Sequence, residues 1–106
     1  MAWFILIVAG LLEVVWASAM KRSDGFTQPV PSVVTVIAMA VSVGLLSWSM
    51  RTLPLGTAYA VWTGIGALGA FVVGIAILGE AATTLRIVAA ALILGGLVLM
   101  KLSSPE

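Results

Sequence analysis

Four long apolar stretches alternate with short polar segments along the chain. The first, residues 2–20, holds one charged side chain, Glu13, whereas the second and third, residues 32–50 and 55–78, hold none. An α-helix needs about 20 mostly apolar residues to cross the hydrocarbon core of a bilayer. These three stretches therefore predict three membrane-spanning helices.

The fourth apolar stretch, residues 85–102, carries Arg86 near its start and Lys101 near its end. Long basic side chains can lay an apolar stem along lipid and keep the charged head at the surface. We therefore predict a fourth spanning helix. The expected fold is an all-α membrane protein, in which residues 1–106 form one four-helix transmembrane domain.

Polar segments separate the apolar stretches, and their composition favours loops: residues 21–29, 51–54 and 79–84. Pro31 suits the first turn of the second helix, where a missing N–H costs little. Thr83 or Thr84 can cap the start of the fourth helix. The first stretch has no basic segment before its apolar run and contains Glu13, so we expect it to stay in the mature protein rather than be removed as a signal peptide.

Composition agrees with lipid as the main solvent. The chain has 106 residues, of which 62% are hydrophobic and 8% charged, whereas soluble domains carry about 25% charged residues. It has no cysteine and no histidine, which excludes disulfides and the usual zinc sites. A net charge of +1 without a basic stripe gives no reason to expect a nucleic-acid partner, and no cofactor or metal is expected.

Glu13 is the residue on which the functional interpretation depends, because it lies well inside the first apolar stretch. A charge at such a depth costs about 2.5–3.5 kcal/mol on insertion scales, and acidic residues placed there usually face a cavity on an ion or proton path. The alternative is a neutral carboxyl group that makes hydrogen bonds between helices. One carboxylate can hold a proton or a cation, but not both well. This competition can couple the movement of protons to the movement of a cation.

Aromatic residues are spaced to surround that carboxylate. Trp16 follows Glu13 by three residues and shares its helix face, and Tyr59 and Trp62 have the same spacing on the third helix. Aromatic ring faces attract cations, and the O–H and N–H groups can donate hydrogen bonds to a carboxylate. The alternative is that these are ordinary packing residues.

Hydroxyl groups recur every seventh residue on the second helix, at Thr35, Ser42 and Ser49. Ser42 falls near the middle of the span, where it can bond Glu13 directly or through a substrate. Alternatively, it links helices or bonds to a carbonyl of its own helix.

Small residues mark places where helices approach closely or bend. Gly64 and Gly66 can weaken the third helix enough to act as a hinge, or they can simply allow close packing. Ala91 and Gly95 form a small-xxx-small pair on the fourth helix, with Gly96 beside it, and we assign these three residues to a dimer contact.

The basic residues near the helix ends do not indicate a single orientation of the chain in the membrane. Arg51 and Lys101 are expected on one side of the membrane, and Lys21, Arg22 and Arg86 on the other. Basic residues normally mark the cytoplasmic side, and here the two sides nearly balance. Either other features fix the orientation, or both orientations are made and pair as an antiparallel dimer, which would create the inverted symmetry common in transporters.

Several motifs together resemble one family, the small multidrug resistance transporters, and within it the guanidinium exporters. The resemblance runs from Met1 to about Leu102. It is carried by the segments 13–17 (EVVWA), 25–27 (GFT), 31–32 (PS), 53–54 (LP), 56–66 (GTAYAVWTGIG) and 79–80 (GE), together with Lys21 and Ser23.

The resemblance implies an antiparallel, dual-topology homodimer with both copies of Glu13 in one pocket. It implies that Trp16, Ser42, Tyr59 and Trp62 match the residues that organise these carboxylates. Drug-exporting relatives carry a small residue at the position of Trp16, so the tryptophan points to the guanidinium subtype.

A departure from the family pattern concerns the second helix. Val43 is small where some relatives have phenylalanine, and Met39 with Val43 could line a side opening toward lipid. Such an opening would affect the tolerance for substituted guanidinium ions.

The resulting expectation is a proton-coupled antiporter of the bacterial inner membrane that exports guanidinium-type cations, two protons for each cation. One alternative is a broad multidrug antiporter for quaternary ammonium ions. Another is a non-transporting accessory subunit. An enzyme is not expected, since the sequence offers no nucleophile–base pair.

Overall fold

The computed structural model describes residues 1–103 and contains four α-helices. These are α1 (Ala2–Arg22), α2 (Pro29–Ser49), α3 (Leu55–Ala76) and α4 (Thr84–Leu102). All four are long and apolar enough to cross a membrane, and the described residues contain no strand. The prediction of an all-helical protein with four membrane-spanning helices is confirmed. Residues 104–106 of the predicted domain lie outside the described part of the chain.

Helix α2 begins at Pro29, earlier than the predicted residue 32. The first N–H groups of a helix have no intrahelical partner, so both Pro29 and Pro31 fit in its first turn. The Ser32 N–H donates to the carbonyl of Gln28 (3.1 Å), and Thr35 Oγ1 donates to the carbonyl of Pro31 (2.7 Å). Both prolines thus lie in the first turn of α2, Pro31 as the sequence indicated.

The loop after α1 is a tight turn built around Ser23. Its hydroxyl donates to the carbonyl of Met20 (2.6 Å) and accepts from the N–H of Phe26 (3.1 Å). Asp24, Gly25 and Phe26 all have positive φ angles (50°, 71° and 66°), a region that only glycine occupies without strain. The buried Ser23 side chain holds this turn and lets α1 run to Arg22.

The connection from α3 to α4 folds back on the end of α3. The N–H of Glu80 donates to the carbonyl of Gly74 (2.9 Å), which requires the left-handed φ of 72° at Gly79. Because the chain turns here, α3 ends at Ala76 instead of the predicted residue 78. Glu80 also pairs with Arg86 of α4 (3.2 Å).

The start of α4 is capped by a threonine, as the sequence indicated. Thr83 Oγ1 accepts a hydrogen bond from the N–H of Arg86 (3.3 Å). The predicted cap is therefore confirmed at Thr83, and Thr84 is the first residue of the helix.

The helices form a flat arrangement that measures 43 × 34 × 16 Å. Helix α1 lies in the middle and packs against both α2 and α3, whereas the backbone of α4 lies beside α3 and reaches α1 through the contact of Lys101 with Trp3. The buried core lies between α1, α2 and α3, and none of the α4 residues is buried. A single chain therefore presents α4 as an exposed apolar helix at one edge.

Two glycines permit the close approach of helices around α3. A Cβ on Gly10 would lie 2.7 Å from Cβ of Ile65, and a Cβ on Gly64 would lie 2.6 Å from Cδ2 of Leu97. The contact at Gly10 fixes the distance between α1 and α3. The contact at Gly64 fixes the distance between α3 and α4.

We predict that Gly10→Ala destabilises the protein by about 1–3 kcal/mol, the usual cost of overpacking. The Cβ of Ile65 is bonded to the backbone and cannot swing away, so α1 and α3 must separate. The matched control is Gly44→Ala, because a Cβ at Gly44 meets nothing within 4 Å. Thermal denaturation in detergent should show a lower Tm for the first variant only; equal Tm values for both variants would contradict this packing.

Candidate functional site

The Glu13 side chain lies on the face of α1 that packs against α3. A Cβ on Gly66 would overlap its carboxyl group, so the absence of a side chain at Gly66 makes the space that this group occupies. Glu13 is half-buried, and its Oε1 atom is buried without a hydrogen-bond partner among residues 1–103. Buried polar atoms are nearly always hydrogen-bonded, so an unpaired acceptor of this kind inside an apolar helix marks a candidate ligand site.

A single hydroxyl group, that of Ser42, connects the three helices around this carboxyl group. Ser42 Oγ accepts a hydrogen bond from Nε1 of Trp62 (3.0 Å) and donates to the carbonyl of Ala9 (2.7 Å). In an α-helix, that carbonyl also accepts the N–H of the fourth residue on, which is Glu13. The bond network therefore fixes the turn of α1 that carries the acid.

Ser42 and Glu13 are not directly hydrogen-bonded in residues 1–103, and a bond between them through a substrate stays a prediction. The hydroxyl proton is used on Ala9, and the hydroxyl oxygen on Trp62. The structure thus agrees with the alternative in which Ser42 links helices. The role of the Ala9 carbonyl was not foreseen, because a backbone acceptor leaves no signal in the sequence.

Tyr59 and Trp62 lie together, as their spacing indicated. Their ring centroids are 5.6 Å apart and the planes are inclined by 50°. Trp62 is buried (9% exposed), while Tyr59 is 54% exposed. Trp62 is held by Ser42, and Tyr59 presents its ring and hydroxyl at the open side of α3.

Trp16 is half-buried and packs against the core on the same helix as Glu13. Its Nε1 atom is buried without a partner among residues 1–103. Leaving such a donor unsatisfied costs about 1–3 kcal/mol. One turn of α1 thus holds an unsatisfied acceptor, Glu13 Oε1, and an unsatisfied donor, Trp16 Nε1. A second buried donor without a hydrogen bond among residues 1–103, Nε1 of Trp3, lies near the helix start, where Lys101 Nζ is 4.8 Å from the Trp3 ring centroid.

Four further residues of the predicted site lie on α2 and α3. Met39 is half-buried and Val43 is exposed on α2. Helix α3 is continuous through Gly64 and Gly66, and these glycines contact Leu97 and Glu13 respectively. Close packing is therefore observed at both glycines, and the hinge stays a prediction.

The predicted dimer-contact residues lie on α4, away from the carboxyl group. Ala91, Gly95 and Gly96 are all exposed, and a Cβ at either glycine would meet open space. The described residues contain no group of three or more acidic, histidine or cysteine side chains that could hold a metal ion. The site of this chain thus depends on one carboxyl group with aromatic neighbours.

Comparison with known proteins identifies the family. The model of the family described as small multidrug resistance protein matches residues 1–93. The chain belongs to the small multidrug resistance family. It is a multi-pass protein of the bacterial inner membrane, and the expected family and location are confirmed.

Curated members of the small multidrug resistance family align with nearly the whole chain. The guanidinium exporters of Citrobacter freundii and Escherichia coli K12 are 56% and 57% identical to it over 104 residues. The guanidinium exporter of Salmonella typhi is 54% identical over the same length. Each alignment covers 98% of this chain and 99% of the relative. These relatives are transporters rather than enzymes, in agreement with the expectation from the sequence.

We predict that Ser42→Ala lowers stability more than Ser49→Ala does. Both serines are fully buried on α2, but Ser49 donates only to Leu46 of its own helix, whereas Ser42 bonds two other helices. Loss of Ser42 Oγ leaves Trp62 Nε1 without an acceptor, at a cost of about 1–3 kcal/mol.

Unfolding of both serine variants in detergent, followed by tryptophan fluorescence, measures this difference. A loss of stability in Ser49→Ala as large as that in Ser42→Ala would show that the three-helix bond contributes nothing beyond serine burial.

Proposed function

We propose that this chain exports guanidinium-type cations in exchange for protons, with Glu13 as the group that binds both. The observation that carries the proposal is the buried Oε1 of Glu13, which has no hydrogen-bond partner in residues 1–103 and lies inside a spanning helix. The names of relatives that are 54–57% identical supply the substrate class.

The chemistry of the carboxyl group suits guanidinium. This ion is planar and weakly hydrated, and its N–H groups match the two oxygens of a carboxylate. The ring faces of Tyr59 and Trp62 can frame a flat cation. The Ser42 bond keeps Trp62 oriented and holds the Glu13 turn in register, so Ser42 contributes to the site by positioning.

Competition between a proton and a cation for Glu13 couples the transport of protons to the transport of guanidinium. A Glu13 carboxylate that has taken up a proton no longer offers a negative charge to a cation, and a bound cation disfavours the proton. Two carboxylates in one pocket would titrate as a coupled pair. Two protons neutralise the pair, whereas one monovalent cation leaves a net charge of −1. Exchange of two protons for one cation therefore moves one net positive charge inward for each cation exported.

A second copy of the chain is needed to complete this pocket, and we propose an antiparallel homodimer. One protomer supplies one carboxyl group, and its α4 is an apolar helix with no buried residue. Ala91, Gly95 and Gly96 leave open space on that helix, which allows close helix–helix contact. The balance of basic residues between the two ends favours copies of opposite orientation.

In the proposed transport cycle, bending of α3 would change the contact of α3 with α4 and its contact with the Glu13 carboxyl group at the same time. Gly64 contacts Leu97 of α4, and two residues later Gly66 contacts Glu13. A change of angle at these glycines would alter both contacts together, so the proposed hinge could change access to the acid while α4 stays in the dimer.

The substrate range is proposed to extend to substituted guanidinium ions. Val43 is short and 47% exposed, and Met39 nearby is flexible. An alkyl group could pass between such side chains toward lipid. Export of bulky quaternary ammonium ions is the second candidate function, favoured by this same opening.

We predict that Glu13→Gln abolishes guanidinium transport by the purified protein in liposomes. Glutamine keeps the size of the side chain but can neither release a proton nor carry a negative charge. The matched control is Glu80→Gln, since Glu80 is exposed and paired with Arg86, and it should transport at close to the wild-type rate.

Three results of that transport assay would contradict the proposal. Transport by Glu13→Gln at the wild-type rate would remove Glu13 from the mechanism. Poor guanidinium transport together with good transport of a tetraphenyl-type cation would favour the multidrug alternative. No transport by the wild-type protein would favour an accessory subunit.

We also predict that the membrane potential drives the exchange. If one net charge moves per cycle, a potential of 100 mV is worth about 2.3 kcal/mol, or about a fiftyfold change in the steady-state guanidinium ratio. Liposomes with potassium and valinomycin set the potential while the pH is held equal on both sides. A guanidinium ratio that does not respond to the potential would exclude two-for-one exchange.

A further inference from the structure

A groove lies between α1, α2 and α3, and Glu13 is not among its lining residues. Its volume is about 770 Å³. We call it the outer groove and define it by six of its lining residues: Leu11, Val15, Ser18, Arg22, Val34 and Val72. Apart from Ser18 and Arg22, these side chains are apolar.

The outer groove lies on the side of α1 opposite the carboxyl group. With 3.6 residues per turn, Leu11, Val15 and Arg22 are each about 160–180° from Glu13 around the helix axis. The groove is therefore separate from the proposed substrate site, and α1 lies between the two.

On helix α2 too, the residues that line the outer groove and those of the proposed side opening lie on opposite sides of the helix. Val34 lines the outer groove, whereas Val43 is about 180° and Met39 about 140° from it around the helix axis. The proposed side opening for substrate therefore faces away from the groove. A groove on the other side of a spanning protein is in contact with lipid chains rather than with the transport path.

One end of the groove is basic. Arg22 is in the last turn of α1, is exposed, and pairs with no carboxylate within residues 1–103. The start of α2 and the end of α3 lie at this same end, since Val30 and Ile77 also line the groove. Helix ends mark the membrane surface, so Arg22 lies at the depth of lipid headgroups while Leu11 lies deeper in the span.

We propose that the outer groove binds one anionic phospholipid, with an acyl chain along its apolar walls and the phosphate at Arg22. Basic pockets between membrane helices recognise anionic headgroups in this way, and an arginine guanidinium donates paired hydrogen bonds to phosphate. The site lies outside the proposed transport mechanism and does not depend on it.

Charge separates this occupant from the two others that the molecule suggests. A guanidinium ion would be repelled by Arg22. Helix α4 of a second copy carries Arg86 near one end and Lys101 near the other, so in either orientation it would bring a basic side chain toward Arg22. An anionic lipid can pack its acyl chain against the apolar walls and pair its phosphate with the Arg22 guanidinium.

Native mass spectrometry of the purified full-length protein in detergent tests the proposal. The protein is titrated with phosphatidylglycerol or with phosphatidylcholine of the same acyl chains. We expect one tightly bound phosphatidylglycerol per protomer, and Arg22→Gln should weaken its binding about fivefold, the factor for one basic side chain near an anionic surface. Arg22→Gln should weaken phosphatidylcholine binding by a smaller factor, because the choline cation of that headgroup offsets the charge of its phosphate. Arg51→Gln, which removes a cation at the other end of the molecule, should bind phosphatidylglycerol as the wild type does.

A second pair of variants tests the apolar part of the groove. Val34→Trp places a ring in the groove and should weaken binding of both lipids. Val36→Trp is the matched control, because Val36 is also exposed on the same helix (59% against 41%) but lies about 160° from Val34 around the helix axis and does not line the groove. Equal binding of phosphatidylglycerol by wild type and Arg22→Gln, or by Val34→Trp and Val36→Trp, would overturn the proposal. Cross-linking of Val34→Cys to α4 of a second copy in lipid would also overturn it. Guanidinium transport, measured on the same samples, reports the proposed function separately.

Discussion

The carboxyl group of Glu13 sets the main constraint on this molecule, because it must be kept inside an apolar helix without a permanent partner. Gly66 supplies the space beside it, and the Ser42 hydroxyl fixes its turn of α1 through the carbonyl of Ala9. Neither contact neutralises the acid. The surrounding helices thus hold the group in place while one of its oxygens has no hydrogen-bond partner among residues 1–103.

The flat arrangement of helices follows from the same constraint. Helix α1 packs on both sides, and its Glu13 side and its groove side are turned away from each other. In the proposed dimer the acid side faces the second copy and the groove side faces lipid. Helix α4 remains at the edge with its small residues exposed, where it can join two copies without entering either pocket.

The sequence predicted the elements better than the contacts between them. The four apolar stretches identify four helices because lipid demands long apolar segments, and a lone acid within one of them stands out for the same reason. Helix α2 begins at Pro29, three residues before the expected start, because a first turn tolerates two prolines. The sequence left the partner of Ser42 open, since spacing gives a helix face, whereas the choice between a carboxylate and a carbonyl depends on how neighbouring helices are rotated. The contact of Gly66 with Glu13 and the outer groove both require three helices to be placed relative to one another, which no local pattern encodes.

The central claim is that proton and guanidinium compete for one carboxyl group, and proton release on binding tests it most directly. Guanidinium is added to weakly buffered, detergent-solubilised protein that has no membrane gradient, and the released protons are followed with a pH indicator. The competition account predicts release from the wild-type protein at a pH where the acid is protonated, and none from Glu13→Gln. Guanidinium binding without proton release from the wild type, or equal release from Glu13→Gln, would contradict it.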